Sequence, residues 1–276
     1  MGSHLEFTGV MQREHGALPT RITNRLGNAS DLSIHGTDLS AAEITAMITT
    51  ADKLTTLNVS GHALTGDMLH AIAKRNKLQE FRWSDAGSLS DGDAVHFSEL
   101  DHLRVFHLGH ADITSAFAAI CAVHRHLWSV AFHDCLVDDE VTATLTKLTE
   151  LRVLSLARSF VTGATLGDLA RTHCAELTLD GCELDTATLG EALGRLPTLT
   201  VLSLDDTPLG DDHVHFLIGL PDLATLSLRN TRITDQALGF FAFLPQRTRL
   251  RLAGTAVTDA GLALLKGKRP DLVIER

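Results

Sequence analysis

The chain has 276 residues, of which 44% are hydrophobic, so it is long enough to bury a continuous core. Its formal net charge of -10 argues against a general nucleic-acid binder and against a protein that docks on anionic membrane surfaces. It has no apolar run near the roughly 20 residues that cross a bilayer, and MGSHLEF at its start lacks the basic end and apolar stretch of a signal peptide. We therefore expect a soluble, cytoplasmic protein.

Residues 1–28 precede the first regular segment. Leu5 and Phe7 alternate with polar residues, as in a short strand, so this segment is expected to be a degenerate repeat that caps one end of the core. An alternative is that MGSHLEF is a cloning scar, in which case a native domain has been removed upstream. Both interpretations of this segment stay open.

The sequence is periodic from residue 29 onward. Ten units of 23 to 25 residues begin at Ala29, Leu54, Leu78, Leu103, Leu127, Leu151, Cys174, Leu199, Leu223 and Arg247. The Leu78 unit needs one inserted residue, near Gly87. A fixed period of this length is the sequence signature of a repeat architecture, so we assign residues 29–271 to ten repeats.

Each unit combines two apolar periods. Alternation such as that of Leu202 and Leu204 predicts a short strand, and the wider spacing of Ile233, Leu238 and Phe241 predicts a short helix packed against it. A residue able to cap a helix stands between strand and helix in every unit. The predicted caps are Ser40, Thr65, Ser90, Thr114, Asp138, Thr162, Asp185, Gly210, Thr234 and Thr258.

One strand and one helix cannot bury both of their faces, so neighbouring units must stack. The strands should form a parallel sheet and the helices a second layer, as an α/β solenoid. Because a helix is about 10 Å wide and strands lie about 4.8 Å apart, the stack is expected to curve into a horseshoe with a concave sheet and short convex helices. Residues 272–276 are expected to add a final capping strand.

The shared pattern L-x-x-L-x-L-x-x-(T/C/x)-x-(L/I/V)-(T/S/D) resembles the leucine-rich-repeat family over nearly the whole of residues 29–276. The ninth position, where well-known members have Asn, is occupied here by Thr37, Cys135, Cys182, Thr207, Thr231 and Thr255, among others. In this respect the chain is similar to the cysteine-containing and ribonuclease-inhibitor-like subtypes and to bacterial T-x-V-T-D-A-G-L arrays. The resemblance implies a protein-binding module, such as an inhibitor, an adaptor or the targeting arm of a larger effector or signalling protein.

The four cysteines fall where the repeat pattern places small buried residues. They are Cys121, Cys135, Cys174 and Cys182, and they form no C-x-x-C pair or zinc-type spacing. We expect inert core thiols.

The inward leucines are committed to the core, so a binding site must use the side chains between them, at the third, fifth, seventh and eighth positions of each unit. Histidines occupy the middle strands, aspartates follow, and arginines come last, an order that suits a partner of complementary charge. The predicted contact residues are Arg82, His107, His110, His133, Asp134, Arg158, Asp180, Asp205, Asp206 and Arg229. Alternatively, these residues are an ordinary solvated surface. Trp128 is the one aromatic candidate for an anchor, unless it packs against a neighbouring repeat.

Two further functional classes are open. His107, His110, His133 and Asp134 could form the site of a metal-dependent or acid–base hydrolase, although a smooth open sheet lacks the cleft that catalysis needs. An anionic-ligand or nucleic-acid binder would use Arg229, Arg249 and Arg251. The pairs His124/His126 and His213/His215 are expected on the surface. The favoured hypothesis is a monomeric, non-enzymatic protein binder with no cofactor, no metal and no nucleic-acid or membrane partner.

Overall fold

The computed structural model describes residues 3–11 and 19–276, so Met1 and Gly2 of the MGSHLEF segment lie outside the described residues. The chain forms two compact units, Met1–Ala131 and Phe132–Arg276. Strands and helices alternate along both of them. This alternation is the order that the repeats predict.

The first unit contains parallel strands that pair in chain order. The strands are β1 (Ser3–Thr8), β2 (Ala29–His35), β3 (Thr56–Ser60), β4 (Glu80–Trp83), β5 (Val105–Gly109) and β6 (Ser129–His133), the last of which runs into the second unit. Its helices are α1 (Thr20–Leu26), α2 (Ala41–Thr50), α3 (Gly66–Ala73), α4 (Asp91–Ala94), a 3-10 helix at Val95–Glu99, and α5 (Ser115–Cys121). The register aligns buried Leu57 with Phe81 and Phe81 with Phe106, so equivalent side chains of successive repeats stack.

The second unit repeats this arrangement with shorter strands. They are β7 (Val153–Ser155), β8 (Glu176–Thr178), β9 (Val201–Ser203), β10 (Thr225–Ser227), β11 (Arg249–Arg251) and β12 (Val273–Glu275). The helices are α6 (Asp139–Leu145), α7 (Thr186–Leu193), α8 (Leu238–Phe241) and α9 (Asp259–Lys268), with 3-10 helices at Leu166–Arg171, Asp211–Gly219 and Asp235–Ala237. Leu177, Leu202 and Leu226 are aligned in register and fully buried.

The apolar alternation of the repeats predicts strands near residues 56–60, 105–109, 153–157, 201–205 and 225–229, and all five are present and pair in parallel. The last three end two residues earlier than predicted. The backbone leaves the extended conformation there because a left-handed residue follows three positions later, at Arg158, Asp206 and Asn230.

That left-handed residue stands at the eighth position of the repeat. In five units it is not glycine, and φ lies between 52° and 58° at His110, Asp134, Arg158, Asp206 and Asn230. Other units place glycine there, as at Gly254, where a Cβ would collide with Oδ1 of Asn230. Asp and Asn tolerate this conformation better than most residues, which accounts for their use at the turn.

Most of the predicted helix caps are confirmed. Side-chain oxygens of Ser40, Thr65, Ser90, Thr114, Asp138, Asp185, Thr234 and Thr258 accept backbone N–H groups at the start of a helical segment. The prediction for Thr162 is wrong, because the helical segment of its repeat begins only at Leu166. The Thr162 hydroxyl donates instead to Asp139, at a Thr162 Oγ1 to Asp139 Oδ2 distance of 2.6 Å.

The Thr162–Asp139 contact belongs to a ladder that joins neighbouring repeats. The Asp235 carboxylate accepts both the backbone N–H and the hydroxyl of Thr258, at 2.8 and 2.6 Å. Asp211 makes the same two bonds to Thr234. The pKa of Asp235 is lowered, mainly by the hydrogen bond from the Thr258 hydroxyl. A cap threonine therefore serves its own helix and also the aspartate of the preceding repeat.

The ninth-position residues close the turns in place of asparagine. The hydroxyls of Thr207, Thr231 and Thr255 each donate to the carbonyl three residues earlier, at 2.7 Å. The Cys182 thiol contacts the carbonyl oxygen of Leu156, in the preceding repeat, at 3.1 Å. The ninth position therefore uses one kind of threonine bond in three repeats and a thiol contact in another.

We expect Leu202→Ala to lower the free energy of unfolding by about 2 to 5 kcal/mol, because it opens a cavity at a fully buried position. Neighbouring repeats share this interior, so hydrogen exchange should accelerate in the repeats on either side as well. Denaturant unfolding and hydrogen-exchange mass spectrometry test this. Val201→Ala, on the half-exposed face of the same strand, is the control and should cost less. A change confined to the Leu202 repeat would contradict the shared core.

The four cysteines are free and buried, as predicted. Burial raises the pKa of the Cys174 thiol to about 12 and also raises the pKa of Cys121 and Cys182. Because the thiolate is the reactive form, a soluble disulfide reagent should label the native protein slowly and the unfolded protein at once. Rapid native labelling of all four thiols would refute this.

Candidate functional site

In each unit, the candidate site is the face of the sheet that lies opposite the helices. In the second unit its centre carries short side chains that are only half exposed, such as Ser155, Val201, Ser203 and Thr225. In the first unit Val105, Ser129 and Ala131 were expected on the surface but are buried. A longer neighbour covers one of them, since His107 Nε2 lies 2.8 Å from Ser129 Oγ.

The first unit contains three of the predicted contact residues: His107, described above, and Arg82 and His110. Arg82 forms an ion pair with Glu80 on its own strand, with Nη1 and Oε2 2.5 Å apart. His110 lies at the left-handed turn, where its Nδ1 is 2.9 Å from the Ser84 carbonyl oxygen and 3.5 Å from Asp85 Oδ1. Both residues are therefore held by neighbours.

The second unit holds His133, Asp134 and Arg158 close together. His133 Nε2 is 2.7 Å from Ser155 Oγ on the next strand. The Arg158 guanidinium donates to both oxygens of Asp134, with Nη2 and Oδ2 2.6 Å apart. Burial lowers the pKa of His133, and the Arg158 charge lowers it further. Both effects favour the neutral imidazole.

The seventh-position aspartates bridge consecutive repeats. Asp180 Oδ1 accepts the Ser203 hydroxyl at 2.6 Å and the backbone N–H of Asp205 at 2.9 Å. Asp205 Oδ1 in turn accepts the backbone N–H of Arg229 at 2.7 Å. Partial burial is the main cause that raises the pKa of Asp180. Of the three predicted contact aspartates in these repeats, Asp180, Asp205 and Asp206, the first two thus hydrogen-bond to the backbone of the next repeat.

Asp206 is the most accessible of the three. Its Oδ1 accepts the Asn230 side-chain amide at 2.9 Å, and the residue remains exposed. It lines an open depression of about 640 Å³ at the ends of the strands, together with Glu183, Pro208 and Arg232. Gly181, at the eighth position of its repeat, also lines the depression.

The arginines of the last repeats have a partner that the sequence analysis missed. Glu275 on β12 accepts from Arg251 at 2.8 Å and lies 3.4 Å from Arg249. The register of β11 and β12 aligns Arg251 with Glu275, so counting one repeat beyond Arg251 would have identified the pair. Glu275 therefore offsets part of the positive charge of this cluster.

Two further expectations concern single residues. His124 is buried, not on the surface as predicted, because α5 ends at Cys121 and His124 lies in the turn that follows. Burial lowers its pKa. Trp128 is 38% exposed, so it is partly available at the edge of the first unit.

The described residues offer little for metal or membrane chemistry. No three His, Cys, Asp or Glu side chains in residues 3–11 and 19–276 are grouped to hold a metal ion. The Asp134 carboxylate, which the hydrolase hypothesis assigns to orienting a histidine, is bound by Arg158. Among the same residues, the helices are too short or too polar to span a membrane.

The fold is similar to those of several solved proteins. An internalin of Listeria monocytogenes has a TM-score of 0.61 and 18% identity, over 90% of this chain and 68% of the internalin. A leucine-rich-repeat protein of Leptospira interrogans has a TM-score of 0.50 and 16% identity, over 94% of this chain and 81% of that one. The plant peptide hormone receptor RGFR1, in complex with RGF2, has a TM-score of 0.50 and 17% identity, over 90% of this chain and 39% of the receptor.

At these identities the similarity establishes the fold alone. No protein-family model matches the chain, and no curated protein sequence matches it. Parallel strands alternating with short helices, together with these structural neighbours, identify the fold as an α/β leucine-rich-repeat solenoid. The fold class predicted from the repeats is confirmed.

We expect Asp180→Asn to stabilise the protein more at neutral pH than at acidic pH. The pKa of Asp180 is raised in the folded state, so the folded protein binds a proton on this carboxyl group more tightly than the unfolded chain does. The free energy of unfolding therefore falls as the pH rises from the unfolded pKa through the folded pKa. Asparagine removes the ionisation and keeps an oxygen that can accept from Ser203. The measurement is urea unfolding of both proteins at acidic and neutral pH.

The matched control is Asp185→Asn, which should show the opposite trend. The Thr188 side chain is the main cause that lowers the pKa of Asp185, so its carboxylate stabilises the fold at neutral pH and this contribution is lost as the pH falls through the lowered pKa. The cost of Asp185→Asn should therefore be greatest at neutral pH. Equal pH trends for the two variants would contradict the assigned environments.

Proposed function

We propose that this protein is a non-catalytic interaction module that binds a partner protein on the open, concave face of its sheet. The observation that carries the proposal is the second unit, where Arg158, Asp206 and Arg229 stand at the strand ends beside a centre of short side chains. A surface of this kind lets a partner approach the sheet closely while charges at its margin set the orientation. The structure of RGFR1 with RGF2 supports a binding role for such a fold by analogy.

The proposed contact residues are those that the sequence predicts, with roles that now differ. Asp206, Arg229 and His107 are proposed to meet the partner directly. The remainder are proposed to contribute to the surface while holding it together, namely Arg82, His110, His133, Asp134, Arg158, Asp180 and Asp205. Arg158, Asp206 and Arg229, which carry the proposal, lie in the second unit of a single chain, so we propose that a monomer is sufficient to bind.

The other parts of the proposal concern the organisation of the protein. Residues 29–271 are proposed to be ten repeats, with residues 1–28 as an N-terminal cap and 272–276 as a closing strand; β1 and β12 support this by pairing with β2 and β11. The Thr–Asp ladder and the buried ninth-position cysteines support the T-x-V-T-D-A-G-L and cysteine-containing subtypes. Free thiols favour a cytoplasmic location, since secreted proteins commonly use disulfides.

The observations favour binding over the hydrolase hypothesis. A general base needs an orienting acceptor on its second nitrogen, whereas the nearest carboxylate to His133 along the chain, Asp134, is engaged by Arg158. A role as the targeting arm of a larger effector is compatible with the proposal, because such an arm would use the same surface.

The test uses the immobilised full chain and soluble extract of the source cells, followed by association kinetics with each protein recovered. We expect Asp206→Lys and Arg229→Glu to slow association about 10-fold at low salt, because each reverses a charge at the margin of the open face. The effect should shrink as salt screens the charges.

The control is Glu191→Lys, which makes the same charge change as Asp206→Lys at an exposed position of α7, between buried Leu189 and Leu193. Its association rate should be nearly that of the wild type. Equal losses at Asp206 and Glu191 would indicate a diffuse charge effect, and a loss at Glu191 alone would move the site to the helix side.

A further inference from the structure

An uncharged apolar surface covers the helix side of the last repeats. Three large apolar side chains on it are exposed: Phe243 and Leu264 at 72% each, and Phe240 at 38%. The side chains around them are small or uncharged, and all are exposed: Gln236, Gly239, Ala260, Ala263 and Gly267. We call these eight residues the α8–α9 patch. Large contiguous apolar patches on soluble proteins often mark interaction sites.

The repeat explains how the patch is built. Phe240 and Leu264 are 24 positions apart, so they occupy the same place on α8 and α9, which pack side by side. Phe243 lies two residues after the end of α8. The residues at the same position in the flanking repeats are Gly219 and Gly267. Nothing lies within 4 Å of where a Cβ would stand at either glycine. Phe243 is therefore a projecting ring with open space on both sides.

Opposite charges flank the patch. Lys266 and Lys268 are exposed on α9, at one side of it. Asp212 is exposed near the start of the 3-10 helix Asp211–Gly219, which packs on the other side of α8. In the described part of the chain, none of these three has a recorded side-chain hydrogen bond or ion pair. The neighbouring Asp211 differs, because Thr234 occupies its carboxylate.

We propose that the α8–α9 patch pairs with the same patch of a second copy of this chain. A two-fold axis that bisects the line from Asp212 to Lys266 places each of these residues opposite its counterpart of unlike charge in the other copy. The same operation brings the two Phe243 rings to the centre, next to the space left by the glycines. The patch is complementary to itself because it carries a projecting ring, the open space beside the glycines, and charges of opposite sign on its two sides. This inference goes beyond the proposed partner site and replaces the monomer expected from the sequence.

Sedimentation velocity of the purified full chain over a range of concentrations tests the pairing. The wild type should pass from monomer to dimer as concentration rises. Phe243→Glu should raise the dimer Kd at least about 10-fold, as expected for loss of an interface hot spot. The matched control is Phe160→Glu, which changes a ring that is 63% exposed in the same unit but outside the patch, and which should leave the dimer unchanged.

A charge exchange tests the predicted symmetry. Lys266→Glu should weaken the dimer, and adding Asp212→Lys to the same chain should restore it, because both reversed charges then face each other across the axis. A wild type that stays monomeric at every concentration overturns the proposal. So does a dimer that tolerates Phe243→Glu or that is lost with Phe160→Glu. A monomer whose patch instead binds lipid vesicles, or a different protein in a Phe243-dependent manner, refutes self-association and assigns the patch to that occupant.

Discussion

Backbone pairing between successive parallel strands is the constraint on which this structure depends. A unit of one short strand and one short helix leaves both faces of its apolar layer uncovered, and only the next unit can cover them. The register therefore places Leu154, Leu177 and Leu202 in line, each fully buried. Once those positions are fixed, most polar residues lie on the open strand face, at the turns and on the outer face of the helices, and buried ones such as Thr142 and Thr248 donate to backbone carbonyls.

The turn after each strand imposes a second constraint. Its left-handed residue recurs at the same repeat position, where the unit has Asp, Asn or Gly, and also His110 and Arg158. Two of these side chains bind their equivalents in an adjacent repeat, since Asp134 holds Arg158 and Asp206 accepts from Asn230. Strain at the turn is thus offset by contacts between neighbouring turns, which are 24 residues apart in both pairs.

The sequence alone predicts the repeat, the inward leucines, the parallel strands and eight of the helix caps, because each depends on a local period or a single residue type. It fails where contacts between repeats decide the outcome. Thr162 caps no helix because the helical segment of its repeat begins later, at Leu166, and Ser129 is buried because His107 reaches across to it. The ladder from Asp180 to Arg229 depends on side-chain orientation across three strands, and composition carries no signal for that.

These ladders also determine which charges a partner meets. Asp180, Asp205 and Asp235 contribute to a net charge of -10, yet their oxygens are engaged by neighbouring repeats. The open face has no tyrosine to serve as an anchor, since the chain contains none, so one copy should bind a partner with modest affinity. Pairing through the α8–α9 patch lies on the helix side and leaves the strand side accessible. Two open faces joined in one dimer would raise the effective affinity for a partner with two binding sites without requiring a stronger contact.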